Sequence, residues 1–318
     1  MIFGRFLKGN KSISPSHPQT TTPRPDGKKS ETPHHAARGA FDGKTVSLYH
    51  WTPRDAGQTN FGDELSPLLV RRILDRNGLA DVAVQPSGDG PKLLAVGSVL
   101  QQAREGDVVW GAGVNGKNWP RRLKTVANLH VASVRGPLTQ RALQRFGFEA
   151  PAIFGDPGLL FPELFRDEIA QAGETVRRKY GKADVIYIPN LNDESLLPER
   201  FALLPEGVTL VSPTTTPVEV AAMVAQARLV ISSSLHGLVF ADACGVPCRA
   251  HLSAFEPIFK YVDYFEGVGR SQYAFHLTIE DALEAADLAR VQIDTRPILQ
   301  AFPFEALGLI PSLDDRNI

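Results

Sequence analysis

The sequence predicts an α/β enzyme built as two Rossmann-like halves, each a parallel sheet wrapped by helices, with the active site in the cleft between them. Three observations carry that prediction. Short β-rich runs alternate with helical periodicity from Thr45 to Leu160, the pattern restarts at Asp184, and the apolar runs end repeatedly in glycine or polar residues. Strand, turn and helix in repetition mark a doubly wound sheet, and ligands of such sheets bind beyond the carboxyl ends of the strands.

A chain of 318 residues has room for one large or two medium domains. Hydrophobic residues make up 43% and charged residues 22%, the balance of a globular protein and not of a disordered or membrane-embedded one. Lys and Arg (34) nearly cancel Asp and Glu (35), so the net charge of −1 gives no electrostatic case for nucleic-acid binding, and any anion site is local. No apolar run approaches the roughly 20 residues of a bilayer span, and no cleavable signal pattern opens the chain. The two cysteines, Cys244 and Cys248, lie in an apolar stretch and read as buried thiols of a reducing compartment. Neither they nor His34-His35 fall at metal-ligand spacing, so no metal and no cofactor is expected, and the expected location is the cytoplasm.

Residues 1–44 form a flexible arm by composition, because the stretch 12–40 is rich in Ser, Thr, Pro and Gly and cannot offset its ordering entropy. At its start, Met1–Lys11 sets Ile2, Phe3, Phe6 and Leu7 among Arg5, Lys8 and Lys11 with no acid. That composition suits either rest on an anionic membrane surface or an unstructured start. The first domain spans 45–165. Thr45–Trp51 reads as a strand, Asn60 to Asp63 supply a turn and cap, and Leu65, Leu68, Leu69, Ile73 and Leu74 then share one helix face, with Arg71, Arg72 and Arg76 outward. Lys92–Gly97, Asp107–Trp110 and Leu129–Val134 are further strands, the last followed by Pro137 at a helix start. The charged stretch Arg166–Lys182, an interdomain connection or solvated helix, opens a second domain over 166–318. There Asp184–Pro189, Thr209–Val211 and Arg228–Ile231 read as strands, and Pro217–Ala227 and Leu235–Cys244 as helices.

Four places combine strand ends with chemistry. Gly97-Ser98 and the run Gly111 to Lys117 put glycines, Asn115 and Lys117 after strands, either as ordinary turns or as a close approach to an anion. Arg135 stands between a strand end and a helix start, suited to phosphate or carboxylate, or else tying the turn to a carboxylate such as Asp156. Ser232-Ser233-Ser234-Leu235-His236-Gly237 puts an imidazole in the first turn of a helix that is apolar almost all round. It is no nucleophile elbow, since Gly-x-Ser-x-Gly is absent. Phe259 to Tyr264 and Gly267 to Arg270 mix aromatics with Lys260, Asp263 and Arg270, suiting a sugar and an anion or forming an ordinary amphipathic helix.

In this order, Asn60-Phe61-Gly62-Asp63, Gly97-Ser98-Val99-Leu100, Trp110 to Lys117, Val134-Arg135-Gly136-Pro137, Gly155 to Leu160, Ile231 to Leu238, Gly245-Val246-Pro247 and Lys260-Tyr261 resemble the polysaccharide pyruvyl transferases, particularly the xanthan-type exopolysaccharide ketal pyruvate transferases. Each motif is weak alone and the series is specific; it covers the chain from Asn60 onward. The resemblance implies a GT-B-like fold and transfer of pyruvate from phosphoenolpyruvate to a repeat-unit sugar as a cyclic ketal, the sugar often carried on a lipid at the inner face of the plasma membrane. Its domains imply an acceptor side over 45–165 and a phosphoenolpyruvate side over 166–318. Some members have an arginine two residues before the motif histidine, implicated in binding phosphoenolpyruvate. Ser234 stands there in this chain, which leaves Arg135, Lys117, Lys260 and Arg270 as alternative phosphate partners.

These readings nominate His236, Arg135 and Asp63 as catalytic, with His236 the general acid. Asn60, Gly62, Ser98, Gly113, Asn115, Lys117, Asp156, Ser233, Ser234, Leu235, Gly237, Lys260, Tyr261 and Arg270 are the substrate-binding candidates. Asp63 and Asp156 are bases or orienting groups, or else caps and turn residues. Two other functions fit the same features: a GT-B glycosyltransferase using a nucleotide sugar, and a non-catalytic sugar-binding component of exopolysaccharide assembly.

Overall fold

The computed structural model describes residues 41–52, 59–194, 204–286 and 291–311. The arm over 1–40, with its basic start, lies outside them. Phe41 already packs against the core, and Asp42 accepts from the backbone of Lys44 and Thr45, so the described chain is anchored just ahead of the first strand.

Two five-stranded sheets organise the molecule, and all pairings are parallel. The first contains β1 (Thr45–Tyr49), β2 (Ala83–Pro86), β3 (Leu93–Leu94), β4 (Val108–Trp110) and β5 (His130–Ser133) in the order β2-β1-β3-β4-β5. The second contains β6 (Val185–Ile188), β7 (Val208–Leu210), β8 (Leu229–Ser232), β9 (Cys248–His251) and β10 (Phe275–His276) in the order β10-β9-β8-β6-β7. Counted from its own first strand, the second sheet repeats the order of the first. Each half is therefore the doubly wound 2-1-3-4-5 arrangement, with its switch point between its first and third strands. β6 and β8 are buried along their whole length, as strands covered on both faces must be, and they read as continuous apolar runs for that reason.

Helix α1 (Phe61–Arg76) follows β1, capped by Asn60, whose Oδ1 accepts from Gly62 N at 3.0 Å. Its first N–H, of Phe61, donates to Pro213 O of the second half, so the helix starts at the junction of the halves. Arg72 does not simply point outward: it donates to Leu164 O and pairs with Glu168. Helix α2 (Pro137–Gln144) starts at a proline after β5. Then α3 (Phe161–Leu164) and α4 (Arg166–Tyr180) lead to the second sheet, where α5 (Leu191–Glu194), α6 (Pro217–Gln226), α7 (Leu235–Ala243), α8 (Phe259–Gly267) and α9 (Ile279–Glu284) follow the strands. The final helix, α10 (Arg296–Gln300), returns to the first sheet: Trp110 Nε1 donates to Ile298 O at 2.8 Å, and the Trp110 and Phe302 rings meet edge-on at 5.0 Å. One apolar core joins Leu48 and Val108 of the first sheet to Ile186 and Val230 of the second through α1, α3 and α7. The described residues, from Phe41 onward, accordingly form a single compact unit.

Candidate functional site

The carboxyl ends of both sheets open on one cavity of about 280 Å³. Its walls come from the two switch points. After β1 come Tyr49, Trp51, Asn60 and Asp63, and after β3 come Gly97, Ser98, Val99 and Gln101. Facing them, the chain after β6 gives Asn190, Leu191 and Asn192, and the chain after β8 gives Ser234, Leu235 and His236. Asn115, Lys117 and Asn118 after β4, with Glu256 and Lys260 beyond β9, complete it. Helices α1 and α7 both begin here, so two positive helix ends face the cavity.

His236 lies in the first turn of α7, with only 12% of its side chain exposed. Its ring rests on Gly62, where an added Cβ would lie 1.8 Å from Nδ1, and it meets Phe61 edge-on at 6.3 Å. On the inner side Nε2 faces Oδ2 of buried Asp156 across 3.8 Å, and neither atom has a hydrogen-bond partner. The other Asp156 oxygen accepts from Gly158 N at 2.9 Å, fixing the carboxylate so that Oδ2 is aimed at the imidazole. Burial pulls the imidazole pKa below its usual value, Asp156 pulls it back up, and Lys260 and Arg135 add to the lowering.

Asp63 follows Gly62 in the first turn of α1, and burial pushes its carboxyl up to about 7 against the attraction of Lys260, with Asp156 and Glu256 adding to the rise. A carboxyl titrating there is matched to base catalysis at neutral pH. Lys260, almost fully buried in the first turn of α8, is 2.9 Å from Glu256 Oε2, and Lys117 pairs with the other Glu256 oxygen. Burial draws the Lys260 ammonium below its usual value, against the pull of Glu256. Burial raises Glu256, but the two lysines more than offset it and hold the carboxylate below its ordinary range. Two ammonium groups against one carboxylate, beside two helix N-termini, make this end of the cavity a place for an anion.

Of the residues singled out in the sequence, Asn60, Asp63, Ser98, Asn115, Lys117, Ser234, Leu235, His236 and Lys260 come together in this cavity. Arg135 does not offer a free fork. It is fully buried; Nε donates to Asp263 Oδ2 at 3.1 Å, and the two terminal nitrogens donate to Ser98 Oγ at 2.7 Å and Val114 O at 2.6 Å. Its carboxylate is Asp263 of α8, not Asp156, and Asp263 also takes Thr139 N and Oγ1 at 2.9 and 2.6 Å. Arg270 is likewise paired, with Asp242, and lines a separate cavity of about 240 Å³ beside β9 and β10. Tyr261 is buried, its hydroxyl donating to Ser233 O at 2.6 Å, and Ser233 donates to Asp193 Oδ2 at 2.7 Å. Three glycines serve close packing: Gly62 under His236, Gly113 under the Arg135 guanidinium and Gly237 against Ser232 and Ile188. Asp156 sits behind the imidazole rather than on the cavity wall. The sequence reading passed over Tyr49, Trp51, Gln101, Asn118, Asn190, Asn192 and Glu256. Asn190, right after an apolar strand and a proline, was findable by the strand-end rule, whereas Glu256 shows itself only through its two lysines.

Paired doubly wound sheets around a polar cavity with a buried His–Asp pair are the architecture of an α/β enzyme. The sequence model of the polysaccharide pyruvyl transferases matches residues 48–251, from within β1 to the end of β9. That span is more than half of the chain, which therefore belongs to the polysaccharide pyruvyl transferase family and is a transferase. The chain is also 27% identical over 244 residues to uncharacterized protein L143 of Acanthamoeba polyphaga mimivirus, covering 72% of this chain and 79% of the viral one.

Proposed function

We propose that the protein transfers pyruvate from phosphoenolpyruvate to a sugar of an exopolysaccharide repeat unit, closing a cyclic ketal, with His236 as general acid. The observation that carries this reading is the cavity itself, which sets a cationic end (Lys117, Lys260) beside an imidazole backed by a buried carboxylate and a carboxyl titrating near 7. Phosphoenolpyruvate brings a carboxylate and a phosphate, and Lys260, Lys117 and the N–H groups opening α7 answer them, with Ser234 at the cap making no side-chain cap bond of its own. Arg135 and Arg270 are not on the cavity wall, whereas Lys117 and Lys260 are and share a single carboxylate, Glu256, so the two lysines take the role of phosphate partner.

In the reaction, His236 gives a proton to the methylene carbon, and C2 takes one sugar hydroxyl, whose proton passes to Asp63. The C2–O bond to phosphate breaks, and a second hydroxyl closes the ketal, its proton leaving with the phosphate. Acid catalysis of this kind contributes roughly 10²- to 10⁴-fold. The acceptor is a lipid-linked saccharide at the inner face of the plasma membrane, met by a cytoplasmic enzyme at that surface. No helix among the described residues is long and apolar enough to cross a membrane.

The test is phosphate release from phosphoenolpyruvate with a panel of lipid-linked saccharides, run beside nucleotide sugars. Release that needs both phosphoenolpyruvate and saccharide is expected. Turnover of a nucleotide sugar with none of phosphoenolpyruvate would overturn the proposal in favour of a glycosyltransferase.

A further inference from the structure

Six large apolar side chains stand exposed among the described residues, and three of them, Trp119, Phe255 and Ile258, belong to the two loops at one side of the cavity mouth. They are 41%, 43% and 49% exposed. Trp119 follows Asn118 of the cavity wall, and Phe255 and Ile258 stand on either side of the wall residue Glu256. The two loops touch. Trp119 meets Phe259 edge-on at 6.2 Å, an added Cβ on Gly116 would lie 2.7 Å from Phe259 and 3.2 Å from Pro257, and Lys117 pairs with Glu256. Next to Trp119, the turn Arg121–Thr125 presents Arg121, Arg122 and Lys124 to solvent while Leu123 anchors it in a core. From Gly116 to Asn128 the chain has four cations and no acid. Lys117 spends its charge on Glu256, and the other three have no carboxylate partner among the described residues. The acid at the far end of this stretch, Glu105, is held by the backbone N–H groups of Ala127 and Asn128.

Exposed apolar side chains scattered singly mean little, but a group of them beside unpaired cations marks an interaction surface. Tryptophan settles at the boundary between acyl chains and headgroups, and each Lys or Arg near an anionic membrane contributes roughly fivefold to binding. A polyanion in water answers the three cations but leaves Phe255 and Ile258 exposed; a bilayer takes both. We infer that this rim is a docking surface for an anionic bilayer. Trp119, Phe255 and Ile258 enter the boundary region, and Arg121, Arg122 and Lys124 pair with headgroup phosphates. Seated so, the cavity mouth opens at the membrane surface, where a saccharide on a lipid carrier enters it. That last step rests on the reaction proposed above; the docking itself does not.

Vesicle binding by the full chain tests this without any substrate. The protein is sedimented with vesicles of phosphatidylcholine alone and of phosphatidylcholine with phosphatidylglycerol, at low and high salt. Binding to the anionic vesicles is expected, weakened by salt, with a blue shift of tryptophan emission that is absent from Trp119→Phe. Arg121→Gln combined with Lys124→Gln should lower vesicle affinity by roughly 25-fold, and Ile258→Ser, which leaves the charge alone, by roughly fivefold. The basic start Met1–Lys11 is present in parent and variants alike, so the differences report on the rim. Both variants should keep the parent's turnover of a water-soluble acceptor fragment and lose turnover of a lipid-linked one in vesicles. Equal vesicle binding by parent and variants, equal binding to neutral and anionic vesicles, none by the parent, or a Trp119 emission that vesicles leave unmoved overturns the docking surface. Docking with these losses but without pyruvyl transfer upholds the surface and counts against the reaction alone.

Discussion

At the residue scale, the chemistry turns on groups held away from their ordinary protonation. His236 is expected to be indispensable: His236→Gln should lower kcat by at least about 10²-fold with the circular dichroism of the parent. Gly62→Ala gives a second, positional check, because the added methyl meets the imidazole and not solvent. That overlap with a buried ring costs about 1–3 kcal/mol, more than alanine's helix advantage of about 1 kcal/mol returns, so this variant should lose turnover and also melt lower than the parent. Asp63 gives a pH signature. Burial raises its carboxyl from 3.8 to about 7, so between those values the folded state holds a proton that the unfolded chain has lost. Stability therefore declines as pH rises through that window. Asp63→Asn should melt higher than the parent at pH 8 and equally near pH 4, while losing activity; a difference independent of pH would contradict the buried carboxyl.

At the element scale, the strands that were legible are those whose burial makes them continuous apolar runs. Val185–Ile188 and Leu229–Ser232 lie within one residue of where the sequence put them. Three others were missed for physical reasons. β2 is a largely exposed edge strand ending in Pro86, β10 is a two-residue edge, and β9 follows Pro247 and contains Arg249, whose guanidinium is drawn off to the carbonyl oxygens of Ala282 and Leu283. The turn around Arg135 was legible as important, but the partner that decides its role, Asp263, is 128 residues away and could not be paired from the sequence. That contact joins the β5–α2 turn to α8, where Gly136 approaches the Asp263 carbonyl so closely that a Cβ would lie 1.8 Å from it. Breaking a buried ion pair from one side leaves an uncompensated charge and costs about 3–5 kcal/mol. Arg135→Ala and Asp263→Ala should each lower the thermal midpoint sharply, and the double variant should lose less than the sum of the two. Full additivity would show that the pair is not coupled.

At the scale of the whole molecule, the repeated sheet order is the organising fact. Two halves with the same topology turn their switch points toward one cavity, and the return of α10 to Trp110 closes the first sheet with chain from the far end of the sequence. The sequence showed the repeat, since the strand and helix pattern restarts, but not that one core runs through both sheets, because that depends on α1 beginning against Pro213. The proposed reaction adds pyruvate across two hydroxyls of a sugar through protonation of the methylene carbon. Its most direct test is the product formed from phosphoenolpyruvate and acceptor in deuterium oxide, read by mass and proton spectra. A gain of one pyruvate less one water is expected, with a methyl group carrying a single solvent deuterium. A product that keeps the methylene as an enol ether, or a methyl group without deuterium, would contradict it.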